Sequence, residues 1–293
     1  MERRTVFGGW ALPAAFVLPQ LLLTFFFFLW PAGQAIWQSL IRQDAFGIRT
    51  VFVGVENFSD LFEDPLYLQS ALRTVVFCIA VAGLSMGIAL LLAVFADREI
   101  GGRGIYRTLL IWPYAIAPAI AAVLWIILLH PQIGIVSHGL AALGIHWDYK
   151  LDDAQALLVV ILASAWKQIS YNFIFFLAGL QSIPRTVIEA ARMDGARGWR
   201  RFRTITWPLL APTTFFLIVV NVVYAAFDTF GTIQALTHGG PGKATETLVF
   251  KVYRDGIINL DLGSSAAQSV VLMFGVIVLT GIQFRFLGRK SAE

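Results

Sequence analysis

An all-α membrane protein with six transmembrane helices is the fold class this sequence predicts, on three observations. Of 293 residues, 58% are hydrophobic and only 14% charged, against about 25% charged in soluble domains, and the mean hydropathy is +0.73. Apolar runs recur at the length needed to cross hydrocarbon, about 20 residues. The Lys and Arg residues gather in alternate loops between those runs, the pattern that orients a membrane protein. No run has the short alternation of a barrel strand, and open strands cannot satisfy their backbone in lipid.

The runs lie at roughly 11–30, 71–96, 108–129, 156–180, 209–231 and 266–286. The first follows Arg3 and Arg4, as in a signal peptide, but it exceeds a usual apolar core and no small-residue cleavage pattern directly follows it. A retained first span is expected. Residues 1–70 read as that span with an external connection, 71–286 as a denser five-helix core, and 287–293 as a tail. Pro113 and Pro118 fall inside the third run and predict a kink.

Arg3 and Arg4, then Arg98, Arg103 and Arg107, then Arg185, Arg192, Arg197, Arg200, Arg201 and Arg203, then Arg285, Arg289 and Lys290 share one side. The other side holds Arg42, Arg49 and Arg73, then Lys150, then Lys243, Lys251 and Arg254, with acidic stretches such as "GVENFSDLFEDP" and "HWDYKLDD". Both termini and the 181–208 loop are therefore predicted cytoplasmic. The excess charge of +4 is spread over these loops, which argues for membrane orientation and against a nucleic-acid partner. Tryptophans 10, 30, 112, 147 and 207 sit near span ends as interfacial anchors. Cys78, the single cysteine, lies in an apolar run and packs as a small hydrophobe.

The loop "SIPRTVIEAARMDG" reads as a short helix, with Ser182 as cap, Pro184 in the first turn and Gly195 closing the end in a left-handed conformation. Ala190, Ala191 and Ala196 keep it slim. A second amphipathic piece, "ARGWRRFRTI", spaces Trp199, Phe202 and Ile205 by three before Pro208 and Pro212 start the fifth span. From the residues alone, a basic loop lying on anionic lipid explains the segment about as well as a docking element does.

The spacing Glu189-Ala190-Ala191, three residues, Gly195, nine residues, Ile205, two residues, Pro208 resembles the EAA loop of ABC-importer permeases, with Trp207 where Leu commonly precedes the proline. The likeness extends to "WPAGQAIWQSL", "WPYAIAPAIAAVLW", "SAWKQISYNFIFFLAGLQSIPR", "FDTFGTIQALTHGGPGKATETL" and "LDLGSSAAQSVVLM", segments similar to those of the sugar and glycerol-3-phosphate branch of the family. The resemblance implies a type-1 (MetI-like) permease core in a bacterial inner membrane, with a second homologous permease, an ABC ATPase dimer that binds the ATP and Mg²⁺, and an external solute-binding protein as partners. It assigns Glu189, Ala190, Ala191, Asp194, Gly195 and Ala196 to the ATPase contact. It implies alternating-access import, of sn-glycerol 3-phosphate or its diesters, or alternatively of a sugar or oligosaccharide.

"SAWKQISYN" places Lys167 near the centre of the fourth span, where a cation costs at least about 2.5–3.5 kcal/mol. Two readings compete. With Gln168, Ser170, Tyr171 and Asn172, Lys167 lines a path for an anionic substrate, or it pairs with a carboxylate at a helix interface. Asn221, Asp228, Ser264, Ser265 and Gln268 are further pathway candidates, although Asn, Ser and Gln equally hydrogen-bond helices together.

Chemistry is expected to lie elsewhere. "THGGPGKATET" imitates a P-loop, but Thr237 replaces its first glycine and Ala244 its Mg²⁺-binding hydroxyl. His130, His138 and His146 are too widely spaced for a tight metal motif. With no nucleophile beside a base, the chain itself is expected to be no enzyme and to hold no cofactor or metal. An ion-coupled secondary transporter, a different class, predicts inverted repeats; none is visible.

Overall fold

The computed structural model describes residues 11–44, 48–97 and 103–290, so Arg3, Arg4, Trp10 and Arg98 of the orientation argument lie outside the described residues. Among the described residues, five helices are long and apolar enough to cross a membrane, or six when a bent pair counts as one span. By packing, the described chain forms two compact units, one of residues 1–64 with 252–273 and one of 65–251 with 274–293. Each is described in turn.

In the first unit, α1 (Ala11–Thr24) passes through a π turn, Phe25–Leu29, into α2 (Trp30–Ser39). The first span thus runs to Ser39, nine residues beyond the apolar run. Pro31 falls in the first turn of α2, where its missing N–H costs least. A hairpin follows, β1 (Ile41–Gln43) antiparallel to β2 (Thr50–Phe52), with Ile41 opposite Phe52. Helix α3 (Glu56–Glu63) buries Asn57, whose Nδ2 donates to the carbonyls of Ser39 and Ile41, both at 2.9 Å. Those carbonyls would otherwise be unsatisfied where the span ends. Gly263 fits against the same point, since a Cβ there would lie 2.6 Å from the Ile41 carbonyl oxygen.

The second unit begins with α4 (Pro65–Ala96), then α5 (Arg103–Ile111), a 3₁₀ turn at Trp112–Ala115, and α6 (Pro118–Leu129). The expected kink is a full break: the two halves of the third span meet at 103°. Ala117, preceding Pro118, is extended at ψ 141, because a proline ring clashes with a helical residue before it. Twelve residues of α6 extend about 18 Å, short of a hydrocarbon core of about 30 Å. After α7 (Ile135–Ala142), α8 (Asp153–Gln181) starts from Asp152, whose carboxylate accepts from the Gln155 amide at 2.9 Å. It is followed by α9 (Arg185–Met193), α10 (Gly198–Arg201), a π turn at Phe202–Thr206, α11 (Trp207–Val223), a π turn at Tyr224–Asp228, and α12 (Phe230–Leu236). The chain then enters α13 (Leu248–Tyr253), the π turn Arg254–Ile258 and α14 (Leu262–Lys290), which runs from the first unit's residues into the second's.

Helices α4, α8 and α11 form the centre. Lipid is as apolar as leucine, so small residues and polar contacts, not burial from water, hold such helices together. Ser85, Ala89 and Ala93 recur every four residues on α4 and are all completely buried, which lets α8 approach. At the same level Asn221 Nδ2 donates to Asn172 Oδ1 (2.6 Å) and to the Leu217 carbonyl (2.7 Å). Asn172 Nδ2 donates to Asn221 Oδ1 (3.0 Å) and Ser85 Oγ (3.1 Å), and Ser85 Oγ donates to Asn221 Oδ1 (3.1 Å). Phe173, Phe176, Leu210 and Leu217 pack beside this cluster. The opposite faces carry exposed Leu72, Val75, Ile79, Leu91 and Phe95, the surface a bilayer requires.

Because interhelical hydrogen bonds in membranes average about 0.6 and reach about 1.7 kcal/mol, Asn221→Ala, which removes several at once, is expected to destabilise by roughly 1–2 kcal/mol. The measurement is a fall in thermal unfolding midpoint in detergent, with a smaller fall for Ser85→Ala.

Candidate functional site

Two places in the second unit gather the residues singled out in the sequence. The first is the exposed helix α9. Its C-terminus is closed by two hydrogen bonds: the Ala196 amide donates to the Ala191 carbonyl (2.9 Å) and the Gly195 amide to the Arg192 carbonyl (3.1 Å). This is a Schellman arrangement, which needs a left-handed residue after the cap, and Gly195 has φ +75. Ala191 and Ala196, the residues whose apolar contact accompanies such a closure, are both buried. The remaining members of the expected contact, Glu189, Ala190, Asp194 and Gly195, are exposed. The six residues therefore split into an inward pair that shapes the turn and an outward set available to a partner.

Ser182 does not cap this helix. It is the C-cap of α8, its Oγ donating to the Gly179 carbonyl at 2.8 Å. The link between the helices is so short that Pro184 occupies the capping position of α9. The amphipathic piece after Ala196 is likewise no separate element. Trp199 stacks on Phe202 (centroids 5.4 Å apart), and the π turn at Phe202–Thr206 carries α10 into α11, so the fifth span is helical from Gly198. Residues 198–206 are a lever rigidly joined to that span, not a loop before Pro208. Sequence reasoning missed Met193, 88% exposed at the end of α9; an unbranched apolar side chain at the edge of a charged helix was the available signal.

The second place is α8 within the membrane, where the candidates separate by helical row. Gln168 and Asn172 lie on the buried row, Asn172 with its amide engaged in the cluster with Asn221 and Ser85. Asn221 and Asn172 are 0% exposed, so the structure puts both at a helix seam rather than on a cavity wall of this chain. Lys167 and Tyr171 occupy the neighbouring row and are only partly buried. Tyr171 continues into aromatic contacts with Tyr114 (5.7 Å) and Phe175 (4.8 Å), and Phe175 meets Phe216 (5.4 Å). Tyr114 comes from the broken third span, so the break delivers a side chain to this row.

Asp228 ends the π turn after α11 and is exposed. No direct ion pair joins it to Lys167 among the described residues. Ser265 and Gln268 belong to the first unit. Ser265 Oγ donates to the Val252 carbonyl (2.9 Å), and Gln268 Nε2 donates to Asp255 Oδ2 (2.6 Å) and Ser264 Oγ (3.2 Å). Gln268 is 0% exposed. These contacts fasten the turn at Arg254–Ile258 to α14.

The P-loop imitation fails on geometry as well as on spacing. The amides of Gly240, Ala244, Thr245 and Glu246 donate to carbonyls of the same segment, and Thr237 and Thr245 join hydroxyls at 2.7 Å, so these groups are engaged within the segment rather than held open for a phosphate. The segment is pinned to α4 by the Leu248 amide donating to Thr74 Oγ1 at 2.8 Å. His130 approaches Lys150 (3.2 Å) and His138 its own helix's Gly134 carbonyl (2.8 Å). Among the described residues no group of three or more His, Cys, Asp or Glu is placed to hold a metal.

Comparison with known proteins agrees with this arrangement. Residues 3–291 match the family described as binding-protein-dependent transport system inner membrane component. The chain is 59% identical over 285 residues to the "sn-glycerol-3-phosphate transport system permease protein UgpA" of Agrobacterium fabrum, covering 97% of each. It is 54% identical over 287 residues to the protein of the same name from Pectobacterium atrosepticum, covering 98% of this chain and 97% of the relative. In fold it is similar to a chain of a bacterial alginate ABC transporter in complex with an alginate pentasaccharide-bound periplasmic protein, with a TM-score of 0.81 at 22% identity, covering 95% and 94%. A second structure, of a bacterial ABC transporter involved in import of alginate, gives 0.79 at 23% identity, covering 95% and 96%. The chain therefore belongs to the family of binding-protein-dependent transport system inner-membrane components, as a multi-pass permease subunit of an ABC importer rather than an enzyme.

Proposed function

We propose that this permease imports sn-glycerol 3-phosphate by alternating access, receiving force from an ATPase subunit at Glu189–Ala196. The observation that carries the reading is α9 itself: a short exposed helix, sealed by a left-handed Gly195 and followed by a lever that is continuous with the fifth span. A push on α9 passes through the hydrogen-bonded turn at 194–197 into α10 and α11. Glu189 and Asp194 offer charge to the partner and Met193 an adaptable apolar knob. The partners are a second homologous permease, an ATPase dimer that holds ATP and Mg²⁺, and a solute-binding protein on the opposite side. Both termini and α9 face the cytoplasm, in keeping with the Arg-rich loops.

The substrate follows from the relatives' names together with the row of Lys167 and Tyr171. A partly buried ammonium favours an anion over a neutral sugar, and Lys167 makes no ion pair among the described residues, which leaves it able to meet a phosphate. Of the remaining candidates, Gln168, Asn172 and Asn221 hold the path's walls in place rather than contact the solute, while Ser265 and Gln268 brace a turn of the first unit.

Two outcomes are expected. In the assembled transporter, Glu189→Lys and Gly195→Val each lower copurification of the ATPase by roughly tenfold or more, as loss of a central charged contact does; Gly195→Val acts through a left-handed strain of about 1–2 kcal/mol. Unchanged association in both variants would sink the docking role. In proteoliposomes with ATP, Lys167→Ala lowers labelled sn-glycerol 3-phosphate uptake about tenfold, or ~1.4 kcal/mol, and Lys167→Arg keeps part of it. Transport of maltose in preference would favour a sugar as the substrate instead.

A further inference from the structure

A cavity of about 680 Å³ lies beside α9 and shares Glu189 with the proposed ATPase contact, while its arginines play no part in that reading. Its lining includes Arg107, Arg185, Arg192 and Arg201, with Asp97 and Glu189, four guanidiniums against two carboxylates. Its depth is set by the spans around it. Asp97 directly follows the last residue of α4, Leu180 and Gln181 end α8, and Arg201 ends α10 at the start of the fifth span. The cavity therefore sits level with the lipid headgroups and not in the aqueous lumen. Arg107 is held within it: one Nη donates to the Ala96 carbonyl at 3.0 Å, while its buried Nε has no hydrogen-bond partner. A buried guanidinium N–H without an acceptor is costly and is answered by an anion.

We infer that this cavity binds the phosphate of an anionic phospholipid headgroup. Guanidiniums pair with phosphate through parallel N–H bonds, and basic pockets between membrane helices at the cytoplasmic face suit such headgroups. Free inorganic phosphate shares the headgroup chemistry, so the test below separates the two sources. Bound lipid would join α5, α8 and α10 at the base of the helix that meets the ATPase, so lipid composition becomes a variable of transport.

The test is native mass spectrometry of the assembled transporter carrying phosphatidylglycerol or phosphatidylcholine, read on every species that contains the permease, whether or not the ATPase remains bound. Wild type is expected to retain phosphatidylglycerol selectively. Arg201→Gln and Arg107→Gln are each expected to lower that retention about tenfold, the effect of removing one charged hydrogen-bond donor, and added inorganic phosphate is expected to leave it unchanged. Equal retention of both lipids, or phosphatidylglycerol retention unaltered in Arg201→Gln, would overturn the inference. So would displacement by inorganic phosphate alone. If Arg107→Gln fails to assemble, Arg201→Gln decides the question, because the Arg201 side chain is only partly buried.

Discussion

The cluster of Ser85, Asn172 and Asn221 is the contact on which the rest of the second unit depends. In a hydrocarbon medium there is no apolar gain in bringing α4, α8 and α11 together, so their seam must come from close approach of small side chains and from polar groups that have nowhere else to go. The alternation of Ser85, Ala89 and Ala93 on α4 supplies the first. The two asparagines, each donating to and accepting from the other, supply the second and specify a register, since a shift of one residue on either helix would leave buried amides unpartnered.

That seam determines what the neighbouring residues can do. Once Asn172 is committed to α11, the adjacent row of α8 must face away from the centre, and it carries Lys167 and Tyr171 to the partly open side, where Tyr114 meets Tyr171. The break at Pro113 and Pro118 belongs to the same logic. A straight third span could not set Tyr114 against Tyr171, and a broken one is tolerated where irregular backbone is shielded by other protein or borders a cavity. At the other end of α8 the chain reverses in three residues into α9, and the Schellman turn at Gly195 sends it back into α10 and α11. Helix α9 is thus joined through α10 to the helix that bears Asn221, half of the central clamp.

Much of the candidate docking site was legible because it is local. A capping glycine, the Glu189-Ala190-Ala191 run and flanking arginines are properties of a short stretch of chain, and helix ends obey short-range rules. The partition of the intramembrane polar residues was not legible, for a comparable physical reason. Lys167 and Gln168, or Tyr171 and Asn172, are adjacent in sequence and equally polar, yet a helix turns about 100° between neighbours, and only the positions of α4 and α11 say which of the two faces a seam. Ser182 misled because the same hydroxyl can serve the helix before it or the helix after it.

By itself, the sequence determined the class of structure, the approximate place of the apolar spans and the place of the short helix that became α9, because hydrocarbon thickness, backbone satisfaction and helix-end chemistry act on runs and spacings. Only the tertiary structure decided that residues 252–273 pack with the first span's unit, that the helix of the fifth span starts as early as Gly198, and which polar side chains are structural. Those outcomes depend on which surfaces meet, and contacts between residues such as Ser85 and Asn221, 136 positions apart, leave no trace in any local pattern.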